Sequence, residues 1–142
     1  MPYNIEKQVL SKIISLRVLR NSGFRLLTTY PKKISLIKQL LFYLQRKNHE
    51  IYIFTLDSND VAYVLLSIRG LQTFITILVD PEFHGMGIGT NAIITTLRYY
   101  QKKREIYAEI DRGNSGSIKL FESIGFKNIS NENKLLLYKS NK

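Results

Sequence analysis

Three glycines, Gly85, Gly87 and Gly89, stand at alternate positions in LVDPEFHGMGIGTNAI, after one apolar run and before another. Where a strand hands over to a helix, glycine at that spacing suits phosphate chemistry. The first N–H groups of a helix lack intrahelical partners and lie at the positive end of its dipole, so they attract an anion. Without a Cβ, the backbone can approach that anion closely. The other reading is a turn that needs unusual dihedrals and binds nothing. Neither common nucleotide loop fits. The mononucleotide loop ends in Gly-Lys-Ser/Thr, which is absent, and in G-x-G-x-x-G counted from Gly85 the last place is Thr90. A dinucleotide loop also follows the first strand of its unit, whereas this one follows the third strand of a meander.

The chain's other reactive groups set limits. With no cysteine there is no disulfide, thiolate nucleophile or cysteine-held metal, a composition that suits a cytoplasmic protein. His49 and His84 are the only histidines, far apart and without carboxylates at ligand spacing, so no metal is expected. His49 lies in the polar stretch RKNHE and is expected to be solvated. The net charge is +10, with basic residues spread along the chain. That suits an anionic small molecule or a solvated surface, and does not favour nucleic acid, which calls for a basic block or regularly spaced exposed aromatics. No apolar run approaches the ~18 residues of a membrane span, and no membrane partner is expected.

The elements that must position the glycines follow from periodicity. Ile5, Val9, Ile13, Leu16 and Leu19 predict a helix over 4–19, ended by RNSG. FRLLTTY reads as a strand closed by Pro31. Ile34, Ile37, Leu41 and Leu44 predict an amphipathic helix over 32–47, with Lys33, Lys38, Gln39 and Gln45 on the outer face. EIYIFTLD, VAYVLLSI and TFITILVD form a meander, the first two joined by the turn residues SND. A helix over 90–104 follows, with Lys102, Lys103 and Arg104 at its negative end. IYAEI is a strand, Asn114 or Ser115 caps the next helix, Gly125 ends it, and KLLLYK is a closing strand. The hairpins require antiparallel pairing, and the strand–helix–strand unit over 74–110 requires a parallel crossover. The fold class is α/β: one domain over 1–142, built on a mixed, mostly antiparallel sheet flanked by helices.

LVDPEFHGMGIGTNAI resembles the acyl-CoA signature of the GCN5-related N-acetyltransferases, Gln/Arg-x-x-Gly-x-Gly/Ala. Gly87 and Gly89 match its glycines, and His84 stands where Gln or Arg is usual. NSGSIKLFESIGF, from Asn114 to Phe126, is similar to the family's second signature, with Phe121 in place of its tyrosine. The resemblance implies acetyl-CoA in a gap between two parallel strands that splay apart, here 74–79 and 106–110. It implies that backbone groups of Ile77, Leu78 and Val79 pair with the pantetheine arm, as an added strand does. The N–H groups of His84, Gly85, Met86, Gly87, Ile88, Gly89 and Thr90 would take the pyrophosphate. Asn114 would bond the pantetheine, unless it only caps its helix, and Phe121 would pack on the arm, with a place in the core as its equal alternative. An N–H near Val79 would stabilise the oxyanion.

An amine acceptor must lose a proton before it attacks. Glu109, five residues before Asn114, matches the base proposed in the ribosomal-protein alanine acetyltransferase branch, with Glu82 and Asp111 as weaker candidates. A phenyl ring donates no proton, so Phe121 assigns no acid. LRVLRNSGF followed by ISLIKQLLFYL resembles the acetyltransferases of nucleotide-linked amino sugars, which implies a substrate role for Arg20 and Asn21. Their alternative is the end of a helix, a cation on the dipole and an Asn cap. The resemblance therefore implies an acyl-CoA-dependent N-acetyltransferase acting on a small amine, preferably a nucleotide sugar. Acetylation of protein N-termini and non-catalytic acyl-CoA binding are the alternatives. A monomer or homodimer is expected.

Overall fold

The computed structural model describes residues 4–7, 10–22, 32–45, 47–100, 104–130 and 135–141. Its centre is a seven-stranded sheet in the order β1-β2-β3-β4-β5-β7-β6. The strands are β1 (Asn4–Lys7), β2 (His49–Leu56), β3 (Asn59–Arg69), β4 (Gln72–Val79), β5 (Glu105–Asp111), β6 (Lys127–Ser130) and β7 (Leu135–Lys139). The helices are α1 (Ile13–Ser22), α2 (Leu36–Leu44), α3 (Ile88–Tyr99) and α4 (Ser115–Ser123). Every neighbouring pair is antiparallel except β4 with β5. The mixed sheet expected from the order of elements is therefore the one observed.

Alternation in the central strands makes two cores. Tyr52, Phe54, Ala62, Val64, Leu66 and Ile75 face α3 and α4, whereas Ile51, Ile53, Tyr63 and Leu78 face α1 through Leu16 and Leu19. Asp57 and Ser58 take positive φ of 48° and 65° and turn β2 tightly into β3.

Three sequence expectations need correction. Residues 4–7 form a strand rather than the start of a helix, because Ile5 finds a partner in Phe54 on the edge of β2. Helix α2 runs over Leu36–Leu44, capped by Ser35, and is turned the other way round: Gln39 is buried while Ile37, Leu41 and Leu44 are exposed. Helical spacing identifies an apolar stripe but not the direction in which it points. His49 is buried, stacked on Phe42 at 4.0 Å with Nε2 2.8 Å from the Phe42 carbonyl. Burial lowers its pKa, against a smaller opposing effect of the Phe42 carbonyl. The strand expected at FRLLTTY, the side chain of Val9, and Lys102 with Lys103 lie outside the described residues.

Candidate active site

Among the described residues, strands β4 and β5 are joined only at Gln72–Glu105, Thr73–Ile106 and Phe74–Tyr107. Beyond that point β4 continues against β3 as far as Val79, and β5 against β7 as far as Asp111. Each strand keeps its outer partner while the inner pairing ends, so a wedge opens between them. Backbone groups facing a wedge have no strand partner, and an extended chain can use them.

At the open end lies a cavity of about 450 Å³. Ile77, Leu78, Val79, His84, Gly85, Gly87, Ile88, Gly89, Thr90 and Asn114 line it, together with Phe83, Gly116, Ser117 and Leu120. The cofactor-binding residues expected from the sequence are thus brought together, with two exceptions. Met86 is exposed outside the lining. Phe121 turns into the core, edge-on to Phe126 at 5.0 Å, and the preceding residue, Leu120, reaches the cavity instead. One position along a helix is a rotation of about 100°, which the motif spacing alone does not resolve. Leu120, Ser117 and Gly116 were legible only as further positions of α4.

The loop is built to leave donors open. Asp80 caps the Pro81–Phe83 turn by accepting the Glu82 N–H at 3.0 Å. His84 follows, its Nε2 3.0 Å from the Val79 carbonyl, tying the loop back to the end of β4. Gly85 and Gly87 have φ of +78° and +74°, and a Cβ at either would meet no protein atom within 4 Å. Gly87 is the N-cap of α3 and offers no side-chain cap, and the first turn carries no acidic residue. The N–H groups at the start of α3 are therefore neither capped by a side chain nor opposed by a carboxylate, which fits a diphosphate. Gly89 serves a different purpose: a Cβ there would come within 2.7 Å of Leu120 Cδ1, so it permits close packing of α3 on α4. Asn114 does cap α4, accepting the Ser117 N–H at 3.1 Å, and it also lines the cavity.

Glu109 is not among the lining residues. Ala108 and Ile110 join the core under α3 and α4, so Glu109 faces the other side of the sheet, the side of α1. Arg69 reaches across from β3, with Nη1 3.1 Å from Glu109 Oε1 and the guanidinium 4.2 Å above the Phe74 ring. Glu109 would have to exchange this partner for an acceptor's ammonium before serving as a base. Asp111 instead closes the turn before α4, accepting the Gly113 N–H at 2.8 Å, and Glu82 is exposed.

Arg20 and Asn21 lie in the last turn of α1, and Asn21 has ordinary negative φ rather than a left-handed cap. The Asn21 side chain accepts the Ile34 N–H and donates to the Ile34 carbonyl, both at 3.0 Å, imitating a strand partner. Arg20 Nη1 donates to the Lys32 carbonyl at 2.7 Å, and Arg17 Nε to the Ile34 carbonyl at 3.0 Å. Three side chains of α1 thus hold the segment entering α2. Arg17 had no motif to mark it. Among the described residues, no group of three or more His, Asp or Glu could hold a metal ion.

Comparison with known proteins agrees with this geometry. Residues 16–126 match the model of the Acetyltransferase (GNAT) family. Mycothiol acetyltransferase of Acidothermus cellulolyticus is 37% identical over 51 residues, a stretch covering 34% of this chain and 16% of that protein. PaiA N-acetyltransferase of Thermoplasma acidophilum, solved in complex with coenzyme A, superposes with a TM-score of 0.84 at 16% identity, over 100% of both chains. The ribosomal-protein-alanine N-acetyltransferase of Brucella melitensis gives 0.82 at 16% identity, over 96% of this chain and 98% of that one. With most of its 142 residues inside the matched span and the strand wedge in place, the chain belongs to the GNAT acetyltransferase family.

Proposed function

We propose that this protein transfers the acetyl group of acetyl-CoA to the primary amine of a small molecule, preferably a nucleotide-linked amino sugar. The parting of β4 from β5 beyond Phe74–Tyr107, at a cavity that ends on the uncapped start of α3, carries the reading. The thioester supplies an activated acetyl group. The N–H groups over 85–90 hold the diphosphate, that of His84 being taken by the Pro81 carbonyl at 3.3 Å; the edges of Ile77–Val79 hold the pantetheine, and Asn114 steadies it from α4. Glu109 takes the proton from the acceptor's ammonium, released to it from Arg69. Arg20 and Asn21 shape the acceptor wall through the segment over 32–34 that they hold.

Two things support a nucleotide-linked acceptor. The net charge of +10 complements a diphosphate. A hexosamine amine is also less basic than a lysine, so it asks less of a site with no assigned acid. A peptide N-terminus is the second reading, favoured by the spacing of Glu109 and by likeness to the Brucella enzyme. Thiol release from acetyl-CoA, measured with nucleotide-linked amino sugars and with short peptides, separates them. Turnover on the sugars alone supports the first reading, and turnover on the peptides alone replaces it with the second. Turnover on neither, with acetyl-CoA bound, leaves an acyl-CoA binder.

A further inference from the structure

We infer that the layer formed by α1 and α2 docks on the surface of an anionic lipid bilayer. Five of the nine residues of α2 are large, apolar and exposed: Leu36, Ile37, Leu40, Leu41 and Leu44, with Ile37 72% and Leu44 63% exposed. At about 100° per residue they cover an arc of about 140°. Its most buried residue is Gln39, 2% exposed and turned inward beside Phe42, and among the described residues the Gln39 Oε1 has no hydrogen-bond partner. The helix therefore buries a polar group and shows solvent its apolar face, the reverse of a helix stabilised only by its own core. On α1, Ile14 and Val18 are exposed on the side opposite buried Leu16 and Leu19. Both helices cover the same sheet face, since Phe42 of α2 packs with Leu16 and Leu19.

Charge identifies the occupant. The basic residues are spread along the chain, but the acidic ones are not. From Lys7 through Asn48, both included, there are ten Lys or Arg and no Asp or Glu, and the rest of the chain carries eleven of each sign. The whole net charge of +10 thus belongs to the segment that contains the exposed apolar face. Lys32, Lys33, Lys38 and Lys47 are exposed before, beside and after α2. A second copy would bring the same positive charge against itself. A protein partner would need a groove shaped to a convex ridge, whereas a fluid bilayer accepts any convex apolar shape. Apolar residues on one face with lysines at its margins suit the headgroup boundary of anionic lipids. Such surface association needs no spanning helix, and α2 is far too short to cross. It stands against the sequence expectation of no membrane partner, and binding to vesicles decides between the two.

The test is co-sedimentation of the full chain with phosphatidylcholine vesicles, alone or with roughly 30% phosphatidylglycerol. We expect at least about tenfold more protein on the anionic vesicles, lost in about 0.5 M NaCl. The double substitution Ile37→Ser with Leu41→Ser, which touches only exposed positions, should lower binding about tenfold while leaving the circular dichroism and the affinity for CoA unchanged. Lys32→Gln with Lys33→Gln should reduce the preference for anionic lipid. Equal binding to both vesicles, or unaltered binding by the apolar double variant, overturns the inference. So does a dimer in sedimentation velocity that this variant splits, which would make the face a self-interface. Retention on a polyglutamate matrix with no vesicle binding would assign it to an acidic protein instead.

Discussion

Gly87 offers a substitution whose effects on folding and on binding can be separated. Its φ is +74°, it lines the cavity, and a Cβ there would meet no protein atom within 4 Å. Gly87→Ala therefore adds no clash within the protein. Its folding cost is the left-handed backbone alone, about 1–2 kcal/mol, or roughly 4 °C in Tm for a chain of this size. The added methyl enters space that the protein leaves open at the start of α3, where the proposed function places the diphosphate against the N–H groups. Gly70 is the internal control. It has φ of +61°, again with nothing within 4 Å of a Cβ, and it lies in the β3–β4 turn away from the cavity. Gly70→Ala should show the same loss of stability. In thermal melts and isothermal titration with CoA, we expect similar falls in Tm for both variants and at least about a tenfold rise in Kd for Gly87→Ala alone, about 1.4 kcal/mol. If both variants bind CoA as the wild type does, the cradle is not at Gly87. If both weaken binding equally, the effect is strain and not blocked access.

Three other perturbations follow from the geometry. Glu109→Gln should lower kcat by about 10²-fold with CoA affinity unchanged, and an unaltered rate at every pH would remove Glu109 as the base. Asp60 accepts Lys12 Nζ at 2.9 Å and Thr55 Oγ1 at 2.8 Å; burial alone would raise its pKa, but bonds from Ser15, Lys12 and Thr55 outweigh it and hold the carboxyl below the usual range. Asp60→Asn should cost about 1–3 kcal/mol in urea unfolding at pH 7. Because the folded pKa is depressed, that difference should begin to shrink below about pH 4 and go on shrinking as pH falls through the folded pKa, and a difference of unchanged size at about pH 3 would refute the ionic account. His49 is kept neutral by burial, so its folded pKa lies below the unfolded value and stability should fall as pH drops below about 6.5. His49→Phe should flatten that slope between pH 7 and 5, and an unchanged slope would show that another group causes it.

The legibility of the chain followed the range of the interactions. Asn114 capping α4, the glycines before α3 and the presence of a turn between β2 and β3, which falls on Asp57–Ser58 just before the SND centre expected for it, are local: each follows from what a side chain or its absence lets the adjacent backbone do. The helix expected over 4–19 began with a strand because Ile5 found Phe54, nearly fifty residues away, at a sheet edge. The same limit applies to Phe121 and Leu120, neighbours on one helix that the fold sends to the core and to the cavity respectively.

The order of elements from β2 to α4, the need for one parallel crossover and the left-handed glycines at the head of α3 were determined by sequence, because periodicity and steric freedom act within a few residues. Tertiary structure decided where β4 and β5 part, which way α2 turns its leucines and which carboxylate meets Arg69. Each of these is a choice among partners far apart in the chain, and it is made when whole surfaces pack against one another.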